Sequence, residues 1–139
     1  MIVYQSTFIS EKCNKTAIIS SIRKQLHEIE GTVDIDDFDL NLILDEAIVN
    51  AMEHGNSWDP EKNVTVKIFH NSKEVQILIE DEGSGFNYNN LDSKDLKWQP
   101  GSELNVRGRG IFLLKQLCDI EWINHGNVIK IVLPLKETF

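Results

Sequence analysis

Residues 64–86 read VTVKIFHNSKEVQILIEDEGSGF, and the fold turns on how that stretch is parsed. Val64, Val66 and Ile68 alternate with polar residues, and Val75, Ile77 and Ile79 do so again after the polar HNSKE. A period of two on both sides of a turn predicts a β-hairpin with one face toward a core. DEGSGF ends the second strand with two acids followed by a spaced glycine pair. A second pair recurs in RGRGIF, residues 107–112, this time flanked by arginines.

Outward from the hairpin the period changes. Residues 2–9 (IVYQSTFI) read as a short strand. Asn14 to Glu30 carries Ala17, Ile18, Ile22, Leu26 and Ile29 near helical spacing, with Gly31 as its stop. A second helix is predicted from about Asp36 to His54, with the stripe Leu40, Leu44, Ala47, Ile48, Ala51 and Gly55 as its end. Asn87 to Val106 is polar and aperiodic, and a loop of that length inside a domain is usually functional or mobile. RGRG opens a helix through about Leu117, and two strands around Asn124–Gly126 follow. This order predicts helices layered on one face of a mostly antiparallel sheet.

The totals fit one domain over residues 1–139, with 41% hydrophobic and 26% charged residues. No apolar run approaches the roughly 18 residues of a membrane span, and MIVYQSTFIS does not resemble a signal peptide. Cys13 and Cys118 form neither a CxxC nor a disulfide framework, so reduced thiols in a cytoplasmic protein are expected. With 14 basic and 22 acidic residues the net charge is −8, which argues against a nucleic-acid surface. A single nucleotide is compatible with that charge, because backbone N–H groups and a metal ion meet its phosphates locally.

The second helix carries chemistry in DEAIVNAMEHGN, residues 45–56. Glu46, Asn50 and His54 are spaced i, i+4, i+8 and so share a face of a regular helix. An arbitrary helix carboxylate is most often just solvated. Asn in mid-helix is less easily dismissed, because its amide competes with the backbone. A Glu one turn before an Asn sets a base beside a neutral oxygen ligand, donors of the hard kind that Mg²⁺ takes.

ExxxNAxxHGN on a helix, DxGxGF after a strand and GRGIFLL opening a later helix resemble the N, G1 and G2 boxes of the GHKL ATPase superfamily. The closest likeness is to the small anti-sigma-factor type of serine/threonine protein kinase, over about residues 5–135. Each box alone is a weak signal; three in order, each on its expected element, are a strong one. The resemblance implies a two-layer α/β sandwich with a mostly antiparallel mixed sheet, and ATP held between the helices and a mobile lid over about residues 87–106. It implies Asn50 as the Mg²⁺ ligand that bridges the metal to the ATP phosphates. Glu46 is implied as general base and Asp81 as acceptor from the adenine amino group.

Gly83 and Gly85 would let the chain bend and lie close to the base. Gly108 and Gly110 would offer backbone N–H groups to phosphate at a helix N-terminus, with Arg107 and Arg109 adding positive charge. Arg109 serves phosphate or points to solvent. His54 lines the site or complements the helix dipole, and Phe86 packs in the core or stacks on adenine. No GxxxxGK[ST] or GxSxG is present. The partner implied is a small regulatory protein of the anti-sigma-factor antagonist type, with a sigma factor as a second partner and a homodimer as the family's common assembly. The rival readings are an ATP-dependent binding module without phosphoryl transfer and a detached histidine-kinase catalytic domain. Glu46 argues against the first, and the Glu-before-Asn pattern fits the serine kinases better than the second.

Overall fold

The structure, a computed structural model, describes residues 2–11, 13–29, 33–85 and 114–136. In chain order these form β1 (Ile2–Ile9), α1 (Asn14–Glu28), α2 (Asp37–Val49) continued by a π-helical turn (Asn50–Gly55), β2 (Asn63–His70), β3 (Glu74–Glu80), β4 (Asp119–Ile123) and β5 (Val128–Pro134). Residues 114–117 are helical, and the rest of the helix that the sequence places before β4 lies outside the described residues.

The predicted hairpin is β2 and β3, and its turn has a local cause. The Asn71 side-chain oxygen accepts from the backbone N–H of Lys73 at 2.8 Å and of Glu74 at 2.9 Å, which closes the reversal. The five strands lie in the order β1-β2-β3-β5-β4, and all four pairings are antiparallel. The sheet is thus more uniform than the mixed one that the sequence allowed. Register places Ile77 between Ile68 and Ile131, and Ile79 between Val66 and Ile129. These side chains form the buried sheet face.

Against that face α1 buries Ile18, Ile22 and Leu26, and α2 buries Leu40, Ile43, Leu44, Ala47 and Ile48. Ala17 is exposed, contrary to the stripe read from sequence, because one position from Ile18 is about 100° around the helix. Trp122 is buried and Trp58 packs at the core's margin, both in packing roles. The helix starts are fixed locally. Asp36 caps α2 by accepting from Phe38 N–H at 2.8 Å, while the Asn14 side chain ties the start of α1 to the Ile9 carbonyl at 2.9 Å. Arg23 spans the two helices, reaching Asp37 at 3.0 Å and Asn41 at 3.1 Å. Such partly exposed pairs set alignment more than stability. Among the described residues no helix is long and apolar enough to cross a membrane.

The architecture is therefore α+β, with helices covering one face of an antiparallel sheet. Ile77→Ala on the central strand, where the side chain is fully buried, should destabilise the protein by about 3 kcal/mol. Urea unfolding followed by circular dichroism measures this; a loss below about 1 kcal/mol would mean the sheet centre is not where the core sits.

Candidate functional site

The site is built where α2 ends. Up to Val49 the helix is regular, and the Asn50 N–H is shared between the Ala47 and Glu46 carbonyls. From Asn50 to Gly55 the helix widens into a π turn, and Asn56 N–H reaches back five residues to the Ala51 carbonyl at 2.9 Å. Single π turns within α-helices frequently occur at functional sites. Glu46 and Asn50 stay one α turn apart, both half-buried. His54 lies across the widened turn, so the regular i+8 spacing no longer sets its position. It too is half-buried and makes contacts.

The turn's end is forced hard against the exit of β3. A Cβ on Gly55 would overlap the Asp81 carboxyl group, and a Cβ on Gly83 would overlap the Gly55 carbonyl. Gly83 is required by the close approach of the Gly55 carbonyl, and Gly55 by the Asp81 side chain that occupies the space beside it. Gly85 has φ +77°, a left-handed conformation, and lies against His125 of the β4–β5 turn. Asp81 is 6% exposed, with one carboxylate oxygen accepting from Gly83 N–H at 2.8 Å.

Asn56 locks the contact. It is fully buried, accepts from Glu82 N–H at 2.8 Å and donates to the Asn63 carbonyl at 3.0 Å. Asn63 N–H in turn donates to the Glu82 carboxylate at 2.7 Å. One side chain thus joins the π turn, the start of β2 and the end of β3. Beyond it the chain passes through two left-handed residues, Ser57 (φ 52°) and Trp58 (φ 57°). Such a conformation costs roughly 1–2 kcal/mol per residue. The Trp58 N–H bond to the Met52 carbonyl at 2.8 Å and its packing on the core offset that cost. Asn56 is the last letter of the ExxxNAxxHGN motif but has no role of its own in the sequence reading, and nothing there marks the β4–β5 turn as site-forming. The signal for Asn56 is a polar residue directly after a helix-stopping glycine, and that usually marks only a turn.

Phe86, the proposed lid at 87–106 with Trp98, and Arg107, Gly108, Arg109 and Gly110 lie outside the described residues. Cys118 belongs to no reactive arrangement. Burial, and then the neighbouring Asp119 charge, push its thiol up to about 11, and the S–H donates to the Leu114 carbonyl at 3.5 Å.

The helix end that carries Glu46 and Asn50 is thus joined through Gly55, Asn56 and Gly83 to the strand exit that carries Asp81. The chain belongs to the histidine kinase-like ATPase domain family, whose profile matches residues 14–133. It is similar to the serine-protein kinase RsbW of Bacillus subtilis (strain 168), at 24% identity over 94 residues, 65% of this chain and 59% of that protein. It is also similar to an anti-sigma F factor of Shouchella clausii (strain KSM-K16), at 28% identity over 81 residues, 58% of this chain and 54% of that protein. The match thus spans less than two thirds of each relative's own length. In three dimensions the chain resembles a mycobacterial sensor histidine kinase, MprB, with a TM-score of 0.55 at 13% identity, covering 97% of this chain and all of that one. At that identity the likeness is one of fold.

Gly83→Ala should lower stability by about 1–3 kcal/mol, because the new methyl has only the Gly55 carbonyl to displace. Ser84→Ala, at an exposed neighbouring position, should change it by less than about 0.5 kcal/mol. Thermal unfolding of both variants checks the contact, and equal midpoints would contradict it.

Proposed function

We propose that the chain binds ATP with Mg²⁺ at this site and transfers the terminal phosphoryl group to a serine or threonine of a small regulatory protein. The observation that carries the reading is the contact of the Asn50–Gly55 turn with Asp81 and Gly83, which joins two sequence motifs into one place. The donor set fits the metal, since Glu46 and Asn50 offer a carboxylate and an amide oxygen one turn apart on α2. When bound, Mg²⁺ supplies neutralisation of charge on the phosphates.

In this reading Asn50 holds the metal through its amide oxygen. Asp81 accepts a hydrogen bond from the amino group of adenine and disfavours guanine, whose carbonyl oxygen would face it. Glu46 takes the proton of the attacking hydroxyl. The partner is of the anti-sigma-factor antagonist type, and the cytoplasm is where such a reaction has its ATP. The names of the two sequence relatives support a kinase that acts in sigma-factor control, and they support sigma-factor binding as a second activity.

Glu46→Gln keeps the side chain's shape and removes the base. ATP binding should survive, while transfer to the acceptor protein falls by about 10²–10⁴-fold. The acceptor is first identified by retention from lysate with ATP and phosphosite mapping. Unchanged transfer in the variant would remove Glu46 from the role. A wild type that binds ATP and transfers nothing to any retained protein would favour a binding module.

Base selection gives a separate test. Asp81→Asn should cost about tenfold to a hundredfold in ATP affinity and narrow the preference over GTP, as read by calorimetry. If GTP competes as well as ATP for the wild-type protein, Asp81 does not read the base.

A further inference from the structure

Asp81 stands at a place where strand pairing has stopped. The ladder between β3 and β5 ends with Glu80 opposite Val128, and the next residue on β3's path lies past the end of β5 on that side. Both of its backbone polar groups are nevertheless engaged by one residue. Asp81 N–H donates to the Asn127 carbonyl at 2.9 Å, and the Asn127 side-chain amide donates to the Asp81 carbonyl at 3.2 Å. The amide thus adds a rung to the sheet where β5 has not yet begun.

With Asn56 on Glu82 N–H, and the Asp81 carboxylate on Gly83 N–H, every backbone donor from Asp81 to Gly83 is committed within the protein. The Asn127 amide oxygen is buried and makes no hydrogen bond. An unpaired buried oxygen lowers stability, so the residue's engaged function is its N–H₂ group on Asp81.

We infer that Asn127 is a positioning residue for nucleotide selection, acting through Asp81. It holds that carboxylate's backbone so that it meets the base already in place, with little ordering left to occur on binding. The inference rests on the ATP-binding reading above.

A mutant cycle tests it, with ATP as the probe and full-length protein. Asn127→Ala should weaken ATP binding about tenfold, the worth of one hydrogen bond, and reduce the preference over GTP. In an Asp81→Asn background the same change should leave ATP affinity within about twofold, while the melting temperature falls equally in both backgrounds. A merely structural residue would lower affinity alike in both. Asn127→Ser, the smaller perturbation, is read by native-state hydrogen exchange without nucleotide. Amides 82 and 83 should exchange about tenfold faster while those of β3 are unchanged. Wild-type exchange at 82 and 83 in that variant, or equal affinity losses in both backgrounds, would overturn the role of Asn127. If wild type binds ATP and Asn127→Ala binds it equally well, only this inference falls. A wild type that binds no ATP removes the nucleotide reading and the inference together.

Discussion

The approach of two backbones, with no side chain between them, organises this molecule. The Gly55 carbonyl meets Gly83, and Asp81 fills the space where a Gly55 side chain would stand. Core packing alone cannot fix such a contact, because apolar groups slide past one another at small cost and a polar chain exit has no apolar face. Asn56 supplies the direction that hydrophobic burial lacks, with its donor and acceptor ends placed on two different strands. The sheet and the two helices bring the ends near; the glycines and the amide decide where they stop.

Much of the architecture was legible because it follows local periodicity. Val64, Val66 and Ile68 with Val75, Ile77 and Ile79 announce the hairpin, and they are the buried residues of β2 and β3. Ile18, Ile22 and Leu26 likewise face the core from α1. The π turn was not legible. Residues 50–55 read as a continuation of α2, since Ala51 and Met52 are buried in either helical form and nothing apolar marks the change of step. The long-range bonds of Asn56 and Asn127 were hidden for another reason. Asparagine beside glycine is the ordinary composition of a turn, and only the strand partners reveal that these amides work at long range.

The local rules fail together at one end of the fold. There lie the widened helix, the left-handed Ser57 and Trp58, and the unpaired oxygen of Asn127. Each lowers stability, and each borders the meeting of α2 with the β3 exit. The opposite end has an aspartate cap on α2 and an asparagine-closed turn between β2 and β3, with the unpaired Nε2 of His70 as its one comparable feature among the described residues. Unfavourable geometry gathered in one region is the pattern expected where position matters more than stability.

The π turn also makes the helical step, more than most side-chain identities, the strict variable in this helix. An α-helix advances about 100° per residue and a π turn less, so tightening Asn50–Gly55 to α spacing with its residue count unchanged would swing everything after it around the axis. Glu46, before the turn, would keep its place while Gly55 and Asn56, after it, would face away from Asp81 and Glu82. Substitutions at exposed Glu53 leave that geometry alone. Gly55 aside, the segment therefore tolerates changes of letter better than a change of helical step, and a chain with one residue fewer here would reach the same facing with a plain α-helix.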